Sequence, residues 1–173
     1  MDNLLDNKIA PDFNDPLGLI KACHQRILGF CELLEKIQSR VSSKGVDDDV
    51  KQAAKKIHHY FSTAAILHHQ DEETDLFPLL STLSEETTAI IQELKQDHLA
   101  LDEAWQQLEP LLTKPESIIE SNNFSHLVKI FCSSYRNHIR KEEDDFLPLA
   151  QHMLKLEQLN NLGKKMQKRR QQS

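Results

Sequence analysis

The sequence has little turn material, with only four glycines and six prolines among 173 residues. Aromatic residues are scarce at 6%, whereas Leu, Glu, Lys, Gln and Ala are common, and this balance favours helices over strands. The chain is long enough for one domain with a substantial core and too short for two comfortable ones. These features predict an all-α fold with few, long helices.

Segments that would direct the chain to a membrane or out of the cell are missing. No apolar run approaches the ~18 residues needed to cross a bilayer, and MDNLLDNKIAPDF lacks the basic and apolar regions of a signal peptide. The three cysteines, Cys23, Cys31 and Cys132, form no C-x-x-C, and their odd number argues against a disulfide scaffold. We therefore expect a cytoplasmic protein with reduced thiols and no membrane partner.

The charge balance gives no indication of a nucleic-acid partner, because 27 acidic and 21 basic residues leave a net charge of −6. Basic residues cluster only near the C-terminus, at Lys164, Lys165, Lys168, Arg169 and Arg170. Since cations suit the C-terminal end of a helix dipole, we interpret this cluster as a solvated helix end.

Apolar residues recur with helical spacing in four stretches. Asp15-Pro16, typical of an N-cap followed by proline at the first helical position, precedes the first stretch, and Pro110 follows the third. The stretches run from Leu17 to Leu34, from Ile57 to Leu79, from Ile91 to Leu108 and from Leu127 to Leu149. Their short connections predict an antiparallel four-helix bundle over residues 15–152. Residues 1–14 would form an N-terminal extension, and the basic tail 153–173 would add a shorter fifth helix.

An internal repeat relates the two halves of this bundle. The segments HHQDEETDLFPLL, from His68, and HIRKEEDDFLPLA, from His138, align without a gap at an offset of 70 residues. The helices before them match more loosely and pair His24 with His98. Each half is therefore one helical hairpin with a histidine on its first helix and H-x-x-x-E on its second.

The repeated H-x-x-x-E motif carries the candidate chemistry. A His and a Glu four residues apart lie on one helix face, and here that face is also the apolar one. A lone buried histidine is usually satisfied by hydrogen bonds, but two copies of a buried polar pattern favour a metal site, because unpaired buried carboxylates are costly. The mixed nitrogen and oxygen set suits a pair of iron ions, with manganese or zinc as alternatives. The candidate ligands are His24, His68, Glu72, His98, His138 and Glu142.

These motifs resemble the hemerythrin-like HHE cation-binding family over about residues 15–150. The resemblance rests on Cys23-His24, HHQDEETDLFP, QDHLALD and HIRKEEDDFLP. It implies two iron ions held by the four histidines, with Glu72 and Glu142 as bridging ligands beside an oxo or hydroxo group. Ferritin-like bundles use Glu-x-x-His instead, and none of the nine histidines has that spacing.

The sequence departs from the oxygen-carrying hemerythrins at their fifth histidine. Those proteins have a second histidine four residues along the third helix, where this chain has Asp102. His69 is a candidate fifth ligand, and the alternative is that it points about 100° away, towards a neighbour or solvent. A second register, with His69 and Glu73 as the ligating pair, is disfavoured by the repeat alignment.

Three functional hypotheses follow. In the first, the protein is a metal-binding module that binds O2 or NO, or that senses or stores iron, and signalling would then need a protein partner. In the second, it is a di-iron enzyme that acts on NO, peroxide or damaged iron–sulfur centres. In the third, it is a structural helical protein whose site is vestigial or filled by zinc. The first is favoured because no general base or redox cysteine is evidently placed beside the ligand set.

Overall fold

The structure, a computed structural model, describes residues 11–172, so most of the predicted N-terminal extension lies outside the described residues. Within that range the chain forms helices with short connections and contains no strand, which confirms the all-α prediction. The α-helices are α1 (Pro16–Lys44), α2 (Asp48–Phe61), α3 (Ala64–Gln70), α4 (Phe77–Leu80), α5 (Glu85–Thr113), α6 (Phe124–Lys141), α7 (Leu147–Met153) and α8 (Leu156–Gln171). A first π-helical turn (Asp71–Leu76) joins α3 to α4, a second (Glu142–Phe146) joins α6 to α7, and a 3-10 turn spans Pro115–Ile118.

Four helical segments form the bundle: α1, then α2 to α4, then α5, then α6 with α7. Helices α1 and α5 each pack against both α2 and α6. Because short connections join consecutive segments, neighbouring segments run antiparallel. The predicted four-helix bundle is confirmed.

Helix ends form where the sequence signals them. The Asp15 carboxylate accepts a hydrogen bond of 3.0 Å from the Gly18 N–H and caps α1. Gly45 follows α1 with a φ of 77°, a left-handed conformation that suits glycine. At the start of α5, the Ser84 hydroxyl accepts a hydrogen bond of 3.1 Å from the Thr87 N–H.

The helices deviate from the expected continuous pattern in two places. The second segment breaks at Ser62 and Thr63, where the Thr63 hydroxyl donates to the His59 carbonyl and competes with the backbone hydrogen bonds of the helix. The expectation that the third helix ends before Pro110 is wrong, since α5 continues to Thr113. A proline this close to the helix end removes only one backbone hydrogen bond, so the last turn persists.

The apolar core is divided into two clusters by a polar layer that crosses all four segments. On α1, Ile20 belongs to one cluster and Ile27 to the other, and His24 lies between them. His98 occupies the same intermediate level on α5. The polar layer therefore lies between packed apolar side chains on both sides along the bundle.

The predicted fifth helix is α8, which packs against α1 and the first π-helical turn. The interpretation of its basic cluster as a solvated helix end is wrong for Arg169 and Arg170, because both pair with the buried carboxylate of Asp71. Among the helices within residues 11–172, none combines the length and the hydrophobicity that a membrane span requires.

Candidate metal centre

The six candidate ligands from the sequence converge in the polar layer. Each comes from the position that the repeat assigns to it, and each is at most 2% exposed. Helix α1 provides one residue, α3 and the first π-helical turn two, α5 one, and α6 with the second π-helical turn two: His24, His68, Glu72, His98, His138 and Glu142.

A π-helical turn occurs at the glutamate of each repeat. The Phe77 N–H donates to the Glu72 carbonyl, and the Leu147 N–H donates to the Glu142 carbonyl, each five residues back. Pro78 or Pro148 follows directly in each case. Proline lacks an N–H and its ring crowds the carbonyl four residues earlier, so a wider turn ahead of it relieves the clash. Such turns are frequent at functional sites.

One group of potential ligand atoms comprises His24, His68, Glu72 and Glu142, whose ligand atoms all lie within 4.8 Å of one another. His68 Nε2 is 2.9 Å from Glu72 Oε1, and His24 Nε2 is 3.1 Å from Glu142 Oε2. All four side chains are buried. Imidazole nitrogens and carboxylate oxygens at this spacing can surround one cation.

A second group comprises His69, His98 and His138, with the same 4.8 Å limit on their ligand atoms. His98 Nε2 and His138 Nε2 are 3.2 Å apart, close to the ~3 Å expected for two nitrogens bound to one ion at about 2.1 Å. The His69 ring stacks on that of His98 with a centroid separation of 4.0 Å. Of the two alternatives left open for His69, the geometry favours the one in which it faces the centre.

The two carboxylates lie between these groups. Glu72 directs Oε1 towards His68 and Oε2 towards His98, at 2.9 Å and 3.3 Å from their Nε2 atoms. Glu142 Oε2 is 3.1 Å from His24 Nε2 and 3.6 Å from His138 Nε2. Each carboxylate therefore contacts a histidine of both groups.

Two further carboxylates hold the outer nitrogens of histidine rings, and a third lies near the outer nitrogen of His138. His24 Nδ1 donates to Glu143 Oε1 at 2.8 Å, and His98 Nδ1 donates to Glu73 Oε1 at 2.5 Å. His138 Nδ1 lies 3.5 Å from Asp97 Oδ2. Such partners set the orientation and tautomer of metal-binding histidines. Sequence reasoning did not assign these roles, although the second glutamate of each repeated Glu-Glu pair was a visible signal.

The atoms that face the interior of the cluster suit a cation. Among the described residues, the inward atoms that lack a hydrogen-bond partner are His24 Nε2, His68 Nε2, His69 Nε2 and both carboxylate oxygens of Glu72 and Glu142. His68 Nε2 and Glu72 Oε1 are only 2.9 Å apart, but the two groups are not aligned as hydrogen-bond donor and acceptor. Buried polar atoms are rarely left without partners, so a bound cation would account for this convergence.

Without metal, the cluster is held by opposite charges. Burial alone would lower the pKa of His24, yet the carboxylates of Glu142 and Glu72 raise it to about 9. Burial would raise the pKa of Glu72, but the surrounding histidines, His68 foremost, hold it well below its usual range. His69 differs, because burial and then the neighbouring His98 lower its pKa well below the usual value. A neutral His69 is in the protonation state that binds metals.

The helical bundle and its buried cluster of histidines and glutamates are together typical of cation-binding proteins. The family model of the hemerythrin HHE cation binding domain matches residues 15–150, and the chain belongs to this family. The chain is also 34% identical over 172 residues to an uncharacterized protein of Haemophilus influenzae, and the match covers 97% of each chain. Membership in this family agrees with the resemblance seen in the motifs and makes the protein a metal-binding one.

Proposed function

We propose that the protein binds two iron ions and, through them, a small diatomic ligand such as O2 or NO, or that it senses or stores iron. His24 and His68 would hold one ion, and His69, His98 and His138 the other. Glu72 and Glu142 would bridge the two. The observation that carries this proposal is the position of these two buried carboxylates between two groups of histidines.

The surroundings of the centre include a cavity that a small ligand can enter. A cavity of about 340 Å³ borders His69 and is lined also by Ile66, Gln70, Glu73, Thr74 and Asp102. It offers a route from solvent to the second histidine group. Bound iron would supply an open coordination position with redox chemistry, and the protein would exclude bulk water and orient the ligands.

Metal analysis of protein purified from iron-replete cells without a chelator tests the proposal directly. We expect close to two irons per chain and near-ultraviolet absorption from charge transfer between the ligands and iron. Elemental analysis that found one zinc, or no metal, would contradict the proposal and favour a structural bundle with a vestigial or zinc-filled site.

His69→Ala tests the fifth histidine. We expect metal content to fall by about half, because the second group would keep only two of its three nitrogens. The matched control is His126→Ala, which removes an exposed histidine. If His69→Ala retained the metal content and absorption spectrum of the unaltered protein, the ligand set would be the six residues without His69.

A further inference from the structure

Two buried aspartates flank Glu72 in the first π-helical turn. Asp71 is fully buried and Asp75 is 6% exposed. Charged carboxylates are rarely buried without a cationic partner, since their loss of solvation must be offset. Neither aspartate belongs to the group of side chains around the proposed metal positions.

The C-terminal helix α8 supplies the missing cations. Arg169 reaches both aspartates at once, with Nη1 on Asp71 Oδ1 and Nη2 on Asp75 Oδ2. Arg170 Nη2 donates to Asp71 Oδ2 at 2.7 Å, and Lys165 Nζ lies 3.2 Å from Asp75 Oδ1. The planar guanidinium of Arg169 therefore links Asp71, which precedes Glu72, to Asp75, which lies three residues after Glu72 in the same turn.

The second half of the repeat has no equivalent arrangement among the described residues. Lys141 and Asp145 occupy the positions that align with Asp71 and Asp75. Asp145 is exposed, and Lys141 pairs with Asp97 and Glu93 on α5 instead. The contact with α8 is thus specific to the half that contains Glu72, and α8 lies beyond residues 15–150, which the family model matches.

We propose that α8 is a clasp and that Arg169 is a positioning residue for the metal centre. By holding Asp71 and Asp75 together, Arg169 fixes the π-helical turn and keeps the Glu72 carboxylate directed at both histidine groups. This inference rests on the proposed metal-binding function. It assigns to the C-terminal helix a role in retaining metal, in addition to covering the bundle.

Arg169→Lys separates positioning from charge, because lysine keeps the positive charge but cannot contact both aspartates with a planar fork. The matched control is Arg136→Lys, which makes the same change in the exposed two-point pair between Arg136 and Glu35. We expect release of Co2+ to a chelator to be about 10-fold faster in Arg169→Lys, in line with the effect of removing support for metal ligands, and unchanged in Arg136→Lys.

Hydrogen exchange of the metal-free protein gives a readout that does not depend on metal. In Arg169→Lys, backbone amides of residues 72–77 should exchange faster, whereas those of residues 142–147 should keep their rates. If Arg169→Lys released Co2+ and exchanged these amides at the rates of the unaltered protein, the proposal that Arg169 positions the turn would be wrong. Failure of the unaltered protein to bind any metal would instead contradict the proposed function, while the exchange experiment would still test whether α8 orders the turn.

Discussion

Glu72→Ala and Glu142→Ala should each abolish binding of the metal pair. Each carboxylate contacts one histidine from both groups, so its loss removes a ligand from both proposed metal positions at once. After either change, the other glutamate is the one carboxylate left in the ligand groups, so both proposed positions lose one of their two carboxylate contacts. Metal content after desalting, compared with that of the unaltered protein, measures the effect.

The matched controls are Glu73→Ala and Glu143→Ala, which remove the neighbouring glutamate of each pair. These side chains hold the outer nitrogens of His98 and His24, so we expect affinity to fall by about 10- to 100-fold without emptying the site. The opposite pattern, in which Glu73→Ala empties the site and Glu72→Ala leaves it full, would mean that His69 and Glu73 are the ligating pair.

Removal of the metal should lower the stability of the bundle substantially. The stripped protein retains a cluster of buried imidazoles and carboxylates whose inward atoms lack aligned hydrogen bonds. A buried polar group without a hydrogen bond costs ~1–3 kcal/mol, so a loss of about 3 kcal/mol is a reasonable scale, out of the ~5–15 kcal/mol that stabilises a typical domain. For a chain of this length the melting temperature would then fall by about 10 °C. Thermal melts of loaded and chelator-stripped protein at neutral pH measure the difference.

The pH dependence of the same melts tests the charge pairing of the stripped state. The pKa of His24 rises from 6.5 to about 9 on folding without metal. Its contribution to stability is therefore complete below about pH 6.5 and is lost as the pH rises through about 9. Between these pH values, the melting temperature of the stripped protein should decrease relative to that of the loaded protein. If the loaded and the stripped protein had equal melting temperatures across this pH range, the expectation would be contradicted. A structural bundle with a vestigial or zinc-filled site would then be favoured.

The grouping of the candidate side chains on shared helix faces was predictable from the sequence because helical periodicity is a local property. Residues four apart share a helix face, so His68 with Glu72, and His138 with Glu142, had to lie together wherever their helices packed. The apolar spacing around these pairs indicated that the face is buried. The repeat then placed the corresponding residues at the same level of the bundle.

The supporting contacts depended on tertiary structure, because they join residues that are far apart in the chain and follow no periodic pattern. Glu143 holds His24 across 119 residues, and the pairing of Arg169 with Asp71 spans 98. The prolines of both repeats were visible, but the wider turns ahead of them depend on how each helix accommodates its proline within the packed bundle. Spacing determined which residues could be ligands, and packing decided which side chains hold them in place.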